Sequence, residues 1–330
     1  MQKLLIWPSH VPVAVRRRGD VVENVHYGSV VAVDADGSII LSAGEPAATF
    51  YGRSALKPLQ ALAMVRSGLT LDAELLAVAS SSHSGEPHHL ALVARILDLF
   101  DLDEGDLRNV VSFPYDLVER ADWVRDGRVE GRLAQNCSGK HAAMLATCIV
   151  NGWPTANYFD TGHPLQETIR ATIEGVTGEP VRLVTVDGCG APLFGTTLTG
   201  IARGYSHLTG APDGTDEARI VQAMRAHPDV VAGRHRDVTA AMRALPGLLF
   251  KDGADGIQLV GLPDGRALAV KIADGNPDAR MPVTIRALTH LGVDCAGLGT
   301  LASVPTLGGE TVVGELSALD FLPEVGAVHL

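Results

Sequence analysis

Apolar positions cluster in strand-like runs at the two ends of the chain and recur at helical spacing between them. Within the first 45 residues, VVAVDADGSIILSAG carries two β-branched runs around Asp36-Gly37, which predicts a hairpin. Residues 55–230 read mostly as helix. In ALKPLQALAMVRSG, Leu56, Leu59 and Ala63 share a face and Gly68 follows as a stop. SGEPHHLALVARILDLF, GKHAAMLATCIVNG and HPLQETIRATIEGV predict further helices. Strand signals return in IQLVGLPDGRALAVKI, a hairpin around Asp264-Gly265, and in TVVGEL. Strands at both ends of a helical middle do not make an alternating βαβ chain. They predict an α+β arrangement within the broad α/β class, an antiparallel sheet assembled from both termini with helices on its faces. No repeat, low-complexity tract or linker divides the chain. The expectation is one domain over residues 1–330, with a helical subdomain at about 55–230.

Composition narrows the function. Hydrophobic residues make up 46% of the 330, enough for a large core. Acidic side chains outnumber basic ones, 38 to 27, and no basic stripe interleaves with aromatics, which argues against nucleic acid as a partner. No run reaches the roughly 18 apolar residues that a membrane span needs. MQKLLIWPSH is too short an apolar run for a signal peptide, and no small-residue cleavage site follows it. Four scattered cysteines, Cys137, Cys148, Cys189 and Cys295, form no CxxC pair and no disulfide framework. A cytoplasmic protein is expected.

Five segments concentrate groups that can do chemistry. In Tyr51-Gly-Arg-Ser-Ala-Leu-Lys-Pro58, Ser54 and Lys57 are three residues apart, so at a helix start they share a face. A hydroxyl needs a neighbouring base to act as a nucleophile, and a lysine serves once burial or another cation lowers its pKa. Helix amides beside the serine are candidates for stabilising an oxyanion. The plainer reading is a capping serine with a solvated lysine. Ala79-Ser-Ser-Ser-His-Ser-Gly-Glu86 ends an apolar run in hydroxyls, a histidine and a carboxylate, either lining a polar pocket or capping the next helix. Asn136-Cys-Ser-Gly-Lys-His141 opens a small-residue helix. A phosphate-loop reading fails there, because Ala134 stands where the first glycine belongs and His141 replaces the metal-binding hydroxyl. Thr185-Val-Asp-Gly-Cys-Gly190 puts Asp187 on a glycine-flanked turn, and Lys251 follows the apolar LPGLLF. There is no HExxH, the adjacent His88 and His89 cannot share a helical face, and Leu56 spoils a G-x-S-x-G elbow around Ser54.

Taken in order, these segments resemble the rhizobial-type, or class 3, L-asparaginases, the asparaginase II family. The likeness runs from Val22-Glu-Asn-Val-His26 through Arg53–Pro58, Ser82–Glu86, Asn136–His141 and Asp187–Cys189. It continues in Ala226-His-Pro228, the Lys251 segment and Val270–Asn276. The resemblance implies a fold akin to serine β-lactamases and penicillin-binding proteins, and two Ser-Lys tandems, Ser54 with Lys57 and Ser82 with Lys251. Arg53, His83, Asp187, Cys137 and Lys140 match residues around the substrate. A small-molecule substrate, L-asparagine, and a homodimer follow from the same likeness. Some members hold zinc with the equivalents of Cys137 and Lys140 plus a cysteine downstream. In the matching stretch here, residues 232–242, that position falls on Val238. His235 and Asp237 are then the nearby substitutes, a thiolate is lost, and no metal or other cofactor is expected.

On this reading Ser54 attacks the side-chain amide carbon while Lys57 takes its proton, and Ser82 and Lys251 relay protons. Ser82 as the nucleophile is the alternative. Asp187 either pairs with the substrate ammonium or positions a lysine. Glutamine as substrate, a penicillin-recognising hydrolase and a catalytically dead binding protein are the competing readings.

Overall fold

The apolar runs without alternation near the C-terminal end become strands buried on both faces. The computed structural model describes residues 7–321; the opening residues 1–6, the larger part of the run read above for a signal peptide, lie outside the described residues. The strands are β1 (Val11–Arg18), β2 (Val21–Val33), β3 (Ile39–Ala43), β4 (Thr49–Tyr51), β5 (Leu183–Val186), β6 (Pro192–Thr197), β7 (Leu249–Gly253), β8 (Ile257–Gly261), β9 (Ala267–Ile272), β10 (Ser303–Gly308) and β11 (Thr311–Ala318). The main sheet has the order β10-β11-β1-β2-β9-β8-β7, with β3 also paired to β2. Every pairing is antiparallel. The sheet joins strands from the first 45 residues to strands after residue 248, as the sequence pattern predicts, and both predicted hairpins form.

The span 55–230 is less uniformly helical than expected. There β5 and β6 join β4 in a second, three-stranded antiparallel sheet, β4-β6-β5. Their runs are four and six residues long, too short to carry a periodicity that separates strand from helix.

Helix Leu198–Thr209 packs on β2, β8 and β9, and helix Pro277–His290 packs on β1, β9, β10 and β11. Strand β9 touches both helices and buries successive residues, so the sheet is covered on both faces there. Beyond Leu198–Thr209 lies a cluster that includes helices Lys57–Arg66, Ala73–Ala79, Ser138–Asn151 and Pro164–Thr177. Among the described residues no helix is long and apolar enough to cross a membrane.

Helix Ser138–Asn151 runs through the middle of this cluster, buried from Ser138 to Cys148. Its close approach to helix Ala73–Ala79 depends on Gly139, where an added Cβ would sit 2.3 Å from the carbonyl oxygen of Val78. That contact brings Asn136 up to the serine string that follows Ala79, where its carbonyl accepts from the His83 amide. Gly139→Ala should therefore force the helices apart and cost about 1–3 kcal/mol, read as a lower urea midpoint with an unchanged slope.

Candidate active site

Helix Ala73–Ala79 starts on Asp72, whose carboxylate accepts from the Leu75 amide, and stops where side-chain hydroxyls compete for its last carbonyls. Ser80 Oγ donates to Leu76 O and Ser81 Oγ to Val78 O. The chain then runs extended, with the Ser82 amide on Val231 O and the His83 amide on Asn136 O. These bonds carry Ser82 into the interior with its own hydroxyl uncommitted to any cap.

Two lysines converge on that hydroxyl. Lys57 Nζ lies 3.1 Å from Ser82 Oγ and donates also to the carbonyls of Ser81 (2.5 Å) and Asn136 (3.3 Å). Lys251 Nζ, on edge strand β7, lies 3.0 Å from the same oxygen and bonds to Asp252 Oδ1 at 2.9 Å. Both lysines are essentially inaccessible, at 1% and 0% exposure. Burial lowers the Lys251 pKa to about 8; the charge of Lys57 adds to that effect and Asp252 opposes it. Burial alone would raise the Asp252 carboxyl, but Lys251, Arg236 and Arg280 outweigh it and hold the group ionised. Arg236 donates to Asp252 Oδ2 at 2.6 Å, and its guanidinium lies 4.6 Å from the centre of the Tyr115 ring.

Ser54 and Ser82 open onto one small cavity of about 70 Å³, together with Tyr115, Asn136, Arg236, Asp252, Gly253 and Ala254. The structure thus brings Ser54, Lys57, Ser82 and Lys251 together, but differs from the expected pairing. Lys57 reaches Ser82, and among the described residues no lysine hydrogen-bonds to Ser54 Oγ. The amides beside Ser54 are also less available than a free helix start would make them. Ser54 lies in a 3-10 turn, Arg53–Leu56, where the Ala55 amide already donates to Gly52 O.

The remaining sequence candidates fall into a neighbouring group. Arg53, at φ +49°, donates through Nε to Asp187 Oδ1 at 2.8 Å and also pairs with Asp255, itself at φ +59°. Both are non-glycine residues in the left-handed region, where strain persists only if surrounding contacts impose it. Asp187 therefore faces a guanidinium and Lys140, which together keep it ionised against the effect of burial. His83 does not line the cavity. It is fully buried, stacked on His89, with Nε2 2.8 Å from Ser138 Oγ, and burial with neighbouring positive charge holds it neutral.

The thiol missing at Val238 is supplied by another segment. Cys189 Sγ lies 3.2 Å from Lys140 Nζ and packs with Cys137. The neighbouring Cys137 side chain brings the Cys189 thiol down to about 5, and the same pairing together with burial raises Cys137 to about 12. Val238, by contrast, is a core residue. Two thiols and an amine from two segments, the start of helix Ser138–Asn151 and the β5–β6 turn, make a nitrogen and sulfur donor set that fits zinc.

Sequence reasoning passed over Asp252, although a carboxylate next to a lysine in an apolar strand was a signal. Arg236 and Tyr115 come from segments with no local motif, and nothing in the sequence marked them.

A family model described as L-asparaginase II matches residues 14–318. No curated protein is similar enough to count as a match. Among solved structures, the chain is similar to a protein from Bacteroides dorei DSM 17855 named as a candidate β-lactamase. The TM-score is 0.44 and the identity 15%, over 79% of this chain and 93% of that one. It is also similar to Mglu in its native form, at TM-score 0.39 and 15% identity, over 81% of this chain and 65% of that one.

Asp252 is the carboxylate that Lys251 and Arg236 share. Asp252→Asn should leave these buried cations uncompensated and cost about 3–5 kcal/mol of unfolding free energy in urea. An unchanged midpoint would mean that the cations are solvated by other means.

Proposed function

The chain belongs to the L-asparaginase II family of amidohydrolases, and from that premise we propose that it hydrolyses L-asparagine to L-aspartate and ammonia by Ser-Lys catalysis. The observation that carries the proposal is the convergence of two buried lysines on one serine, in a cavity that a second serine shares.

Ser82 is pinned from both sides and only 5% exposed, a geometry suited to passing a proton between the lysines. Ser54 is the less constrained hydroxyl at the cavity and is the nucleophile in this reading. Its Oγ bonds to the amide carbon while its proton passes to Lys57. Lys57 releases a proton through Ser82 to neutral Lys251. Catalytic hydrogen bonds are often unmade in the free enzyme, so the absent Ser54–Lys57 bond is one that substrate closes. Lys57 and Lys251 present positive charge to the oxyanion that develops. The C–N bond then breaks, the amine leaves as ammonia with a proton returned along the relay, and water cleaves the aspartyl ester. A second reading, Ser82 as nucleophile, draws on the same two lysine contacts.

Asp187 acts here by fixing Arg53 and Lys140. Should zinc be bound, Cys137, Cys189 and Lys140 would hold it after losing their protons, and it would supply a fixed positive charge beside Asp187. The homodimer, the cytoplasmic location and a preference for asparagine over glutamine belong to the same proposal. A one-methylene difference typically separates substrates by about 10- to 200-fold.

Ammonia release from L-asparagine and L-glutamine tests the reaction. Ser54→Ala should lower kcat by roughly 10³-fold or more. Intact mass should show an aspartyl adduct on stalled Ser82→Ala and none on Ser54→Ala; the reverse pattern makes Ser82 the nucleophile. Hydrolysis of a cephalosporin but not of either amide would favour a penicillin-recognising enzyme.

The pH profile follows from Lys251. Its neutral form accepts the relayed proton and its pKa is lowered to about 8, so activity is lost below that value and gained above it. kcat/KM should rise through an apparent pKa near 8, and Lys251→Met should remove this limb.

A further inference from the structure

One buried donor at the cavity has no acceptor. Arg236 spends NH2 on Asp252 Oδ2, but NH1 is shielded from solvent and meets no partner. The carboxylates around it are committed elsewhere. Asp252 is shared with Lys251, and Asp237 pairs with Arg280. The guanidinium is held in place by the Tyr115 ring on one side and Asp252 on another.

Arg236 also stands where two cavities meet. It lines the inner one of about 70 Å³ with Ser54 and Ser82, and an outer one of about 500 Å³ that reaches Asp255, Gly275 and Arg280. The inner cavity is the smaller of the two and holds both serines. The rest of a substrate must then project past Arg236 and Tyr115. A planar guanidinium with one edge unspent is suited to a carboxylate, and Arg236 lines both cavities.

We propose that Arg236 NH1 receives the α-carboxylate of the substrate, which makes this residue the one that selects amino-acid amides over simple amides. The proposal rests on the amidohydrolase reading of the same pocket. Arg236 then has two roles: one edge of its guanidinium holds Asp252 beside Lys251, and the other binds substrate.

The test compares the wild type with Arg236→Lys, which keeps a cation for Asp252 but loses the forked edge. The substrates are L-asparagine, succinamate (asparagine without its amine) and 3-aminopropanamide (asparagine without its carboxylate); where turnover is slow, the inhibition constant against asparagine is read instead. In the variant, KM for the two carboxylate-bearing amides should rise roughly 10- to 100-fold, with a much smaller fall in kcat and an unmoved pH limb. Weak handling of 3-aminopropanamide should be the same in both proteins. An equal loss on all three compounds would overturn the proposal and assign Arg236 to Asp252 alone. If the wild type releases no ammonia from asparagine, the asparaginase reading fails, and calorimetry with L-aspartate decides the anion site separately. Binding that the variant loses supports the site; binding in both proteins, or in neither, overturns it.

Discussion

Two ammonium groups sharing one buried hydroxyl is the constraint around which the rest of this site is arranged. Lys57 and Lys251 are both removed from water, and each reaches Ser82 Oγ. Charges so placed persist only with close compensation. For Lys57 that comes from two backbone carbonyls; for Lys251 it comes from Asp252. Asp252 in turn binds Arg236, and Arg236 is steadied by Tyr115. The burial that makes the arrangement costly, with the charge of Lys57 added to it, lowers the pKa of Lys251 to about 8, so this lysine can take up a relayed proton.

The second cluster follows the same logic with different chemistry. Arg53, Asp187, Lys140, Cys189 and Cys137 form a chain of alternating charge and polarity beside the serines. Arg53 and Lys140 both face Asp187. The paired left-handed residues Arg53 and Asp255 tie the turn that carries Ser54 to the loop after β7. The two Ser-Lys segments are therefore joined through backbone geometry as well as through Ser82.

Much of this was readable from the sequence. The strand runs at both ends, the hairpins at Asp36-Gly37 and Asp264-Gly265, and the helices after Lys57 and Ser138 follow from periodicity and turn chemistry alone. Ser54, Lys57 and Lys251 stand out by spacing or by following an apolar run, whereas Ser82 was singled out of its hydroxyl string only by the family resemblance. Which lysine meets which serine could not, since a spacing of three puts Ser54 and Lys57 on one face without deciding where a long, flexible side chain ends. Cys189 was visible as a residue but not as a neighbour of Cys137, because only the tertiary fold brings the turn after β5 to the start of helix Ser138–Asn151. Arg236 and Tyr115 belong to connecting segments, where position is set by packing and not by local pattern.

The placement of Lys251 on an edge strand has a consequence for how the protein acquires its site. Ser82 and Lys251 are separated by 169 residues, and among the described residues β7 is bound to the sheet through β8 alone. Helices Lys57–Arg66 and Ala73–Ala79 are built on local contacts, whereas the shared hydroxyl requires β7 to be paired in the sheet. A chain with its helical layer intact and its sheet edge open is compact and inert. The site thus depends on the margin of the sheet, where local opening alone would part Lys251 from Ser82.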